Sequence, residues 1–215
     1  MFEFGLKVLI SYLIGSVMGA LVLGRLRGGV DIRSMGSGNA GGTNALRTQG
    51  WRFALGVVLV DIGKGMLATG VIPALELPFV TENSNLPLIW ITIACAFASV
   101  IGHVWPIWHK FRGGKGAATL IGTLIIIGPW LLIPILIVWF IVLVISGFVG
   151  LATICAGISA ALAAGFISES LGNPLFLYCA VMSVYLLYSH RSNIERMRQG
   201  TENRMHSVTL FRRPR

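Results

Sequence analysis

Charge is what this chain has least of. Of its 215 residues only 12% are charged, against 55% hydrophobic, and the mean hydropathy is +0.79. A soluble domain carries about 25% charged residues. So depleted a chain cannot keep its surface wet, and an all-α integral membrane protein is expected. Cysteine is nearly absent: Cys95, Cys155 and Cys179 lie in apolar stretches without CxxC or Cys/His spacing. That favours three small apolar helix residues over metal or disulfide chemistry. There is no low-complexity tract and no internal repeat, so residues 1–215 read as a single membrane domain. The apolar start "MFEFGLKVLI" lacks a following small-residue cleavage site, which makes it a retained span rather than a signal peptide.

A helix needs about 20 apolar residues to cross the hydrocarbon core. Clear spans fall at residues 4–23, 51–74, 86–107 and 174–189. Between Ala117 and Ile167 no side chain is charged. Breaks at Gly128-Pro129 and at "SGFVG" divide that stretch into spans at 116–128, 129–146 and 149–168. Seven transmembrane helices result, with the N-terminus outside and the C-terminus cytoplasmic. Of 17 Lys and Arg, all but Lys7 and Lys64 fall within residues 25–52, 110–115 and 191–215, on or beside the inner segments. The outer segments carry Glu3, Glu76, Glu82 and Glu169. This is the positive-inside pattern, and six spans would put the basic C-terminus on the wrong side. The net charge of +9 therefore suits anionic lipid headgroups. Nucleic acid is a poor partner, because the basic residues are split between loops with few interleaved aromatics. The tail after Gly200 reads as a solvated, lipid-facing end.

The unusual polar sequence falls on the inner face. In "MGSGNAGGTNALR", Gly36, Gly38, Gly41 and Gly42 permit positive φ and close backbone approach, and successive N–H groups in such turns form an anion nest. Ser37, Asn39, Thr43 and Asn44 add neutral donors and Arg47 a charged fork. A helix starting near Thr43 would add its dipole. The alternative is a flexible loop. In "GHVWPIWHKFRGGKGAAT", Gly113, Gly114 and Gly116 surround Lys115 just before an apolar span, a second anion-binding turn, although the GxxxxGK[ST] spacing is missing. His103 ends a span, either as a hydrogen-bonded structural residue or as a functional one. His109 reads as interfacial, and Trp105 and Trp108 as interface anchors. In "SHRSNIERMRQGTE", His190 and Asn193 share a helix face that could lie over the glycine loops. Asp61 and Lys64, three apart inside the second span, read as a supporting ion pair, with direct catalysis as the alternative.

Together these segments resemble the bacterial membrane acyltransferase family that moves a fatty acyl chain from acyl-phosphate to glycerol 3-phosphate. "GSGNAGGTNALR" resembles its first motif, "GHVWPIWHKFRGGKGAAT" its central one and "HRSNIERMRQGTE" its C-terminal one, while "DIGKG" matches a D-x-x-K-G in its second span. The resemblance runs through nearly the whole chain. It implies seven helices in the bacterial cytoplasmic membrane with the active site facing the cytoplasm. It also implies that Ser37, Arg47, Lys115, His190 and Asn193 line the catalytic pocket, with Gly38, Thr43 and Asn44 in the phosphate-binding loop. Two departures stand out. Ala40 replaces a usual proline and Gly42 a usual alanine, which would loosen the loop. The turn before the sixth span lacks the family's serines, leaving Thr153 to supply a hydroxyl.

The implied reaction gives 1-acyl-glycerol 3-phosphate (lysophosphatidic acid) and phosphate, the first step of phospholipid synthesis. The H-x4-D dyad of acyl-CoA-dependent acyltransferases is absent, since Trp108 stands five residues after His103. Positioning and charge stabilisation suffice for an activated donor. No cofactor and no metal are expected. Expected partners are acyl-phosphate, glycerol 3-phosphate and membrane lipids; the acyl-phosphate-producing enzyme is a further candidate, and a monomer or an oligomer would serve. Two other classes compete, an anion transporter and a non-catalytic lipid-binding subunit. Transporter sites lie near the midplane, whereas these loops cluster on one face, and a lipid dock leaves four ordered motifs unexplained.

Overall fold

A computed structural model of the chain describes residues 1–77, 86–168, 170–205 and 208–210, and every regular element among them is helical. Glu82, Glu169, Arg212, Arg213 and Arg215, used above for orientation, lie outside the described residues. The contacts separate two compact units, Met1–Ile127 and Gly128–Arg215.

The first unit contains α1 (Phe2–Gly15), α2 (Gly19–Leu26), α3 (Gly42–Gln49), α4 (Trp51–Gly70), α5 (Leu88–Val104) and α6 (Ala117–Ile127). The sequence predicts one uninterrupted helix over 4–23. The structure instead breaks it into α1 and α2, bent by 46°. The cause is local and tertiary at once. Ser16 Oγ bonds back to the Tyr12 carbonyl at 2.9 Å, a contact that bends helices. The backbone groups freed at the bend are then taken by α4: Lys64 Nζ donates to the Val17 carbonyl at 2.6 Å, and Asp61 Oδ1 accepts the Gly19 N–H at 3.2 Å.

Lipid offers no hydrophobic drive between helices, so packing relies on small residues that let backbones meet. Gly65 of α4 lies against the Thr119 carbonyl of α6, and Gly122 of α6 against the Ile62 carbonyl of α4. Gly15 and Gly102 do the same for α1 and α5, meeting the Ser99 and Tyr12 carbonyls. At the far end Lys7, the basic residue outside the inner pattern, pairs with Glu3 at 2.6 Å and donates to the Pro73 carbonyl at 2.9 Å.

The second unit contains α7 (Leu132–Ser146), α8 (Val149–Ile167), α9 (Pro174–Ser189) and α10 (Arg191–Arg198). The breaks expected at Gly128-Pro129 and Ser146–Gly150 are where α6, α7 and α8 end and begin. Ala152, Ala156, Ala160 and Ala164 form the buried stripe of α8, and Ser183 of α9 reaches its Gly157 carbonyl at 2.7 Å. α7 leaves Ile133, Leu136, Ile137, Phe140 and Ile141 exposed, a face suited to lipid. The segment after Gly200 is not a free solvated end where it is described. Met205 N–H donates to Gly147 at 2.9 Å, Leu210 N–H to Val144 at 3.2 Å, and Arg204 stacks on Phe148.

Among the described residues four helices are long and apolar enough to cross a membrane: Trp51–Ala74, Leu88–His109, Pro129–Ser146 and Val149–Ile167. The bent pair α1–α2 makes a fifth if it is one broken span, and Ala117–Ile127 and Pro174–Ser189 are shorter apolar helices.

Candidate active site

The first glycine loop is organised around Asn44, in the first turn of α3. Its Oδ1 accepts the Ser37 N–H at 2.9 Å. Its Nδ2 lies 2.9 Å from the Ile32 carbonyl, 3.0 Å from Met35 and 2.9 Å from Asn39. The side chain is buried. An amide so occupied cannot also donate to a phosphate; the structure gives Asn44 the task of shaping the loop instead. The chain can wrap this tightly around one side chain because Gly36 and Gly38 take φ of +56° and +72°. Gly41 and Gly42 have no such conformation. Gly41 is the N-cap of α3, and a Cβ on Gly42 would come 2.6 Å from Val58 Cγ2. That packing accounts for glycine where the family resemblance leads one to expect alanine. Ala40, the other departure, is fully buried with Ile32, Ala45 and Phe53, so apolar packing holds the loop there.

Among the described residues no side chain caps the N-terminus of α3, a helix end of the kind whose first-turn N–H groups suit an anion. Ser37 is half-buried and Arg47, one turn further along α3, is exposed. Asn39 keeps a buried Oδ1 with no hydrogen-bond partner among the described residues.

The second glycine turn differs from its sequence reading. Gly113 N–H donates to the Val104 carbonyl and Gly114 N–H to the His103 carbonyl, each at 3.1 Å. These groups satisfy the open end of α5 and are not free for a phosphate. The glycines are needed for close approach: a Cβ on Gly113 would meet the His103 carbonyl, and one on Gly114 the His103 ring. Gly116, with φ +86°, leads into α6. Lys115 is half-buried between them.

His103 is fixed from its other side. Lys64 Nζ lies 2.9 Å from His103 Nδ1 and 3.0 Å from Asp61 Oδ1. An ammonium only donates, so Nδ1 accepts, and the proton of the neutral ring sits on Nε2, against Gly114. The expected Asp61–Lys64 pair thus extends to His103 and, through it, to the Lys115 turn. Gly114→Ala is expected to cost about 1–3 kcal/mol, because the new methyl meets a ring that cannot yield. Thermal unfolding in one fixed detergent measures it, and an unchanged midpoint contradicts the contact.

Two further groups hold the loop region. Asp31 accepts the Arg33 N–H at 2.9 Å and pairs with its guanidinium at 2.8 Å. The hydrogen bond from Arg33 holds the Asp31 carboxyl below its ordinary range. A depressed carboxyl contributes stability above its unfolded pKa and loses it as pH falls through the folded value, so this pair is intact throughout the neutral range.

His190, Asn193 and Thr153 belong to the second unit. His190 ends α9, buried, with Nδ1 2.9 Å from the Leu186 carbonyl. A carbonyl only accepts, so Nδ1 carries the proton and Nε2 has the lone pair in the neutral ring. Asn193 donates to Glu202 Oε1 at 3.0 Å, and Arg196 Nε donates to Oε2 at 2.7 Å. Glu202, 4% exposed, is the orienting residue that the sequence reading passed over; its signal was the paired Arg196 within the same motif. Thr153 is committed within its own helices, donating to Val149 at 2.9 Å and accepting from Trp139 at 3.4 Å. Its hydroxyl therefore serves helix packing rather than the turn. Glu202→Gln is expected to destabilise by about 1.5–3 kcal/mol, since one carboxylate oxygen becomes an amide donor facing Arg196 or Asn193. A wild-type unfolding midpoint contradicts this.

Among the described residues no three His, Cys, Asp or Glu side chains cluster as metal ligands would. Cys95 and Cys179 are buried free thiols and Cys155 a half-buried one.

Comparison with known proteins agrees across sequence and structure. The family model described as glycerol-3-phosphate acyltransferase matches residues 6–200. The glycerol-3-phosphate acyltransferase of Bacillus subtilis is 39% identical, over 92% of this chain and 95% of its own length. That of Chlorobaculum tepidum is 34% identical, over 92% and 94%. Among solved structures, the glycerol 3-phosphate form of PlsY (YgiH), an integral membrane glycerol 3-phosphate acyltransferase, matches with TM-score 0.79 and 29% identity, covering 95% of this chain and 96% of that one. Its lysophosphatidic acid form matches with TM-score 0.77 and 30% identity, over 94% of both. With its four motifs in order and a match spanning nearly the full length, the chain belongs to the glycerol-3-phosphate acyltransferase family.

Proposed function

We propose that this protein transfers a fatty acyl group from acyl-phosphate to glycerol 3-phosphate, yielding 1-acyl-glycerol 3-phosphate and inorganic phosphate. The observation that carries the reading is the Asn44-centred glycine loop running into an uncapped helix that bears Arg47, in a chain of this family. Both substrates present a phosphate, and this element supplies backbone donors and a guanidinium fork for one. Lys115 provides a second cation.

The glycerol 3-phosphate hydroxyl oxygen attacks the acyl carbonyl carbon. The bond from that carbon to the bridging phosphate oxygen then breaks, and phosphate leaves with the electron pair. The hydroxyl proton passes to a phosphate oxygen of the donor. The mixed anhydride is already activated, so the protein's task is to position reactants and stabilise charge. Arg47 and Lys115 neutralise phosphate charge, and Ser37 and Asn193 orient substrate or the developing oxyanion. His190 holds substrate through Nε2. The glycines Gly36, Gly38, Gly41 and Gly116 shape the loops, and Asp61, Lys64 and His103 support them from the interior.

The same proposal includes one membrane domain with seven crossings, α1–α2 counting as one broken span. The N-terminus lies outside and the glycine loops face the cytoplasm of a bacterium, as the basic residues favour. The acyl chain stays in the apolar phase.

Purified protein in lipid, given acyl-phosphate and radiolabelled glycerol 3-phosphate, is expected to form labelled acylglycerol phosphate. No product with acyl-phosphate, acyl-CoA or acyl-carrier protein as donor would sink the assignment. Product from the thioesters alone would correct the donor. A covalent acyl-enzyme formed without acceptor would replace direct transfer by a Ser37 nucleophile.

A further inference from the structure

The loop carrying Ser37 and the turn carrying Lys115 are far apart in sequence, yet Arg33 joins them. Asp31 caps a short 3-10 turn, Ile32–Ser34, by accepting the Arg33 N–H. The same carboxylate holds the guanidinium in a fork, with Oδ1 3.0 Å from Nε and Oδ2 2.8 Å from Nη2. Nη1 is thereby directed at the carbonyls of His109 and Arg112, at 3.4 and 3.2 Å. Those carbonyls flank Lys110 and Phe111, the non-glycine residues with positive φ among the described residues, at 55° and 57°. Consecutive left-handed residues carry strain and persist where surrounding structure over-determines them. Arg33 supplies such a restraint, immediately before Gly113, Gly114 and Lys115.

We infer that Arg33 is a positioning residue for the acyl transfer, holding the Lys115 turn in register with the Ser37 loop without touching substrate. The inference rests on the reaction proposed above. Simple ion-pair energy does not account for the arrangement: the side chains of Arg33 and Asp31 are 26% and 45% exposed, and exposed pairs contribute little. The contribution is geometric. A lysine keeps the charge opposite Asp31 but lacks the planar fork that reaches the carboxylate and two carbonyls together.

The test uses the full chain in lipid nanodiscs, as wild type, Arg33→Gln and Arg33→Lys. Steady-state constants for both substrates are measured, with amide hydrogen exchange across residues 106–114. Both variants are expected to lose on the order of 10²-fold in kcat/KM, the scale of an ångström-sized misplacement. Exchange in the segment is expected to rise by about tenfold as the local structure opens more often. Wild-type constants for Arg33→Lys overturn the inference and reduce Arg33 to a surface charge. Unchanged exchange in Arg33→Gln overturns it whatever the kinetics. Faster exchange with unchanged kinetics also overturns it, since the held turn would then not matter to the reaction. A wild-type protein inactive with every donor sinks the proposed reaction instead, and is seen before any variant is compared; the link between the loops is then decided by exchange alone.

Discussion

Lys115→Ala is expected to lose on the order of 10²–10³ in kcat, the scale set by removing one preorganised group that meets developing charge. The expectation depends on how well the side chain's origin is fixed. On one side Gly114 packs on the His103 ring and donates its N–H to the His103 carbonyl; on the other Gly116 turns at φ +86° into α6. A cation launched from so constrained a backbone needs little reorganisation when charge builds on phosphate. The helix-end hydrogen bonds of Gly113 and Gly114 come from the backbone and remain in the variant. Full activity in Lys115→Ala removes this residue from the site while leaving the reaction assignment standing. Full loss together with a collapsed midpoint would instead mark Lys115 as structural.

The largest stability effect is expected from Lys64→Met. The Asp61 carboxylate, buried within α4, would lose its counter-ion, and the Val17 carbonyl at the bend would lose its donor. Breaking a buried pair by removing one partner costs about 3–5 kcal/mol. Replacing both charges with apolar residues, as Asp61→Leu with Lys64→Met, is expected to recover part of that loss, because no uncompensated charge remains. A double-mutant cycle on unfolding midpoints in one detergent measures the coupling. Strict additivity of the two single changes would mean that the pair does not act as a unit.

Much of the helical layout was legible because its signals are local. The uncharged stretch from Ala117 to Ile167 divides at Gly128-Pro129 and at Gly147, where backbone chemistry alone ends a helix. The bend between α1 and α2 was only half legible. Gly15, Ser16 and Gly19 mark it locally, but the groups that stabilise the freed backbone come from Asp61 and Lys64, on another helix. The glycines show the same limit. In "GSGNAGG" and in "GGKG" composition fits an anion nest equally well, but Gly113 and Gly114 are selected by the nearness of His103, which no spacing rule contains. Asn44 looked like a ligand donor because a polar residue in a loop carries no mark of what it faces. Arg33 and Glu202 were hidden among topological charges, since an arginine that orders a loop and one that sets orientation read alike in sequence.

The polar contacts at the bend also bear on how the chain enters a membrane. α4 brings two opposite charges into lipid, and such a segment is costly to insert unless they are met at once. The backbone groups that meet them, at Val17 and Gly19, belong to the segment synthesised earlier. His103 is made later, on α5. The first helical pair can therefore act as a receiving template for α4 as it leaves the insertion machinery, with α5 closing the network afterwards. Biogenesis then has a built-in order: a chain altered at the bend is expected to stall with α4 poorly inserted, before α5 and the Lys115 turn have been made.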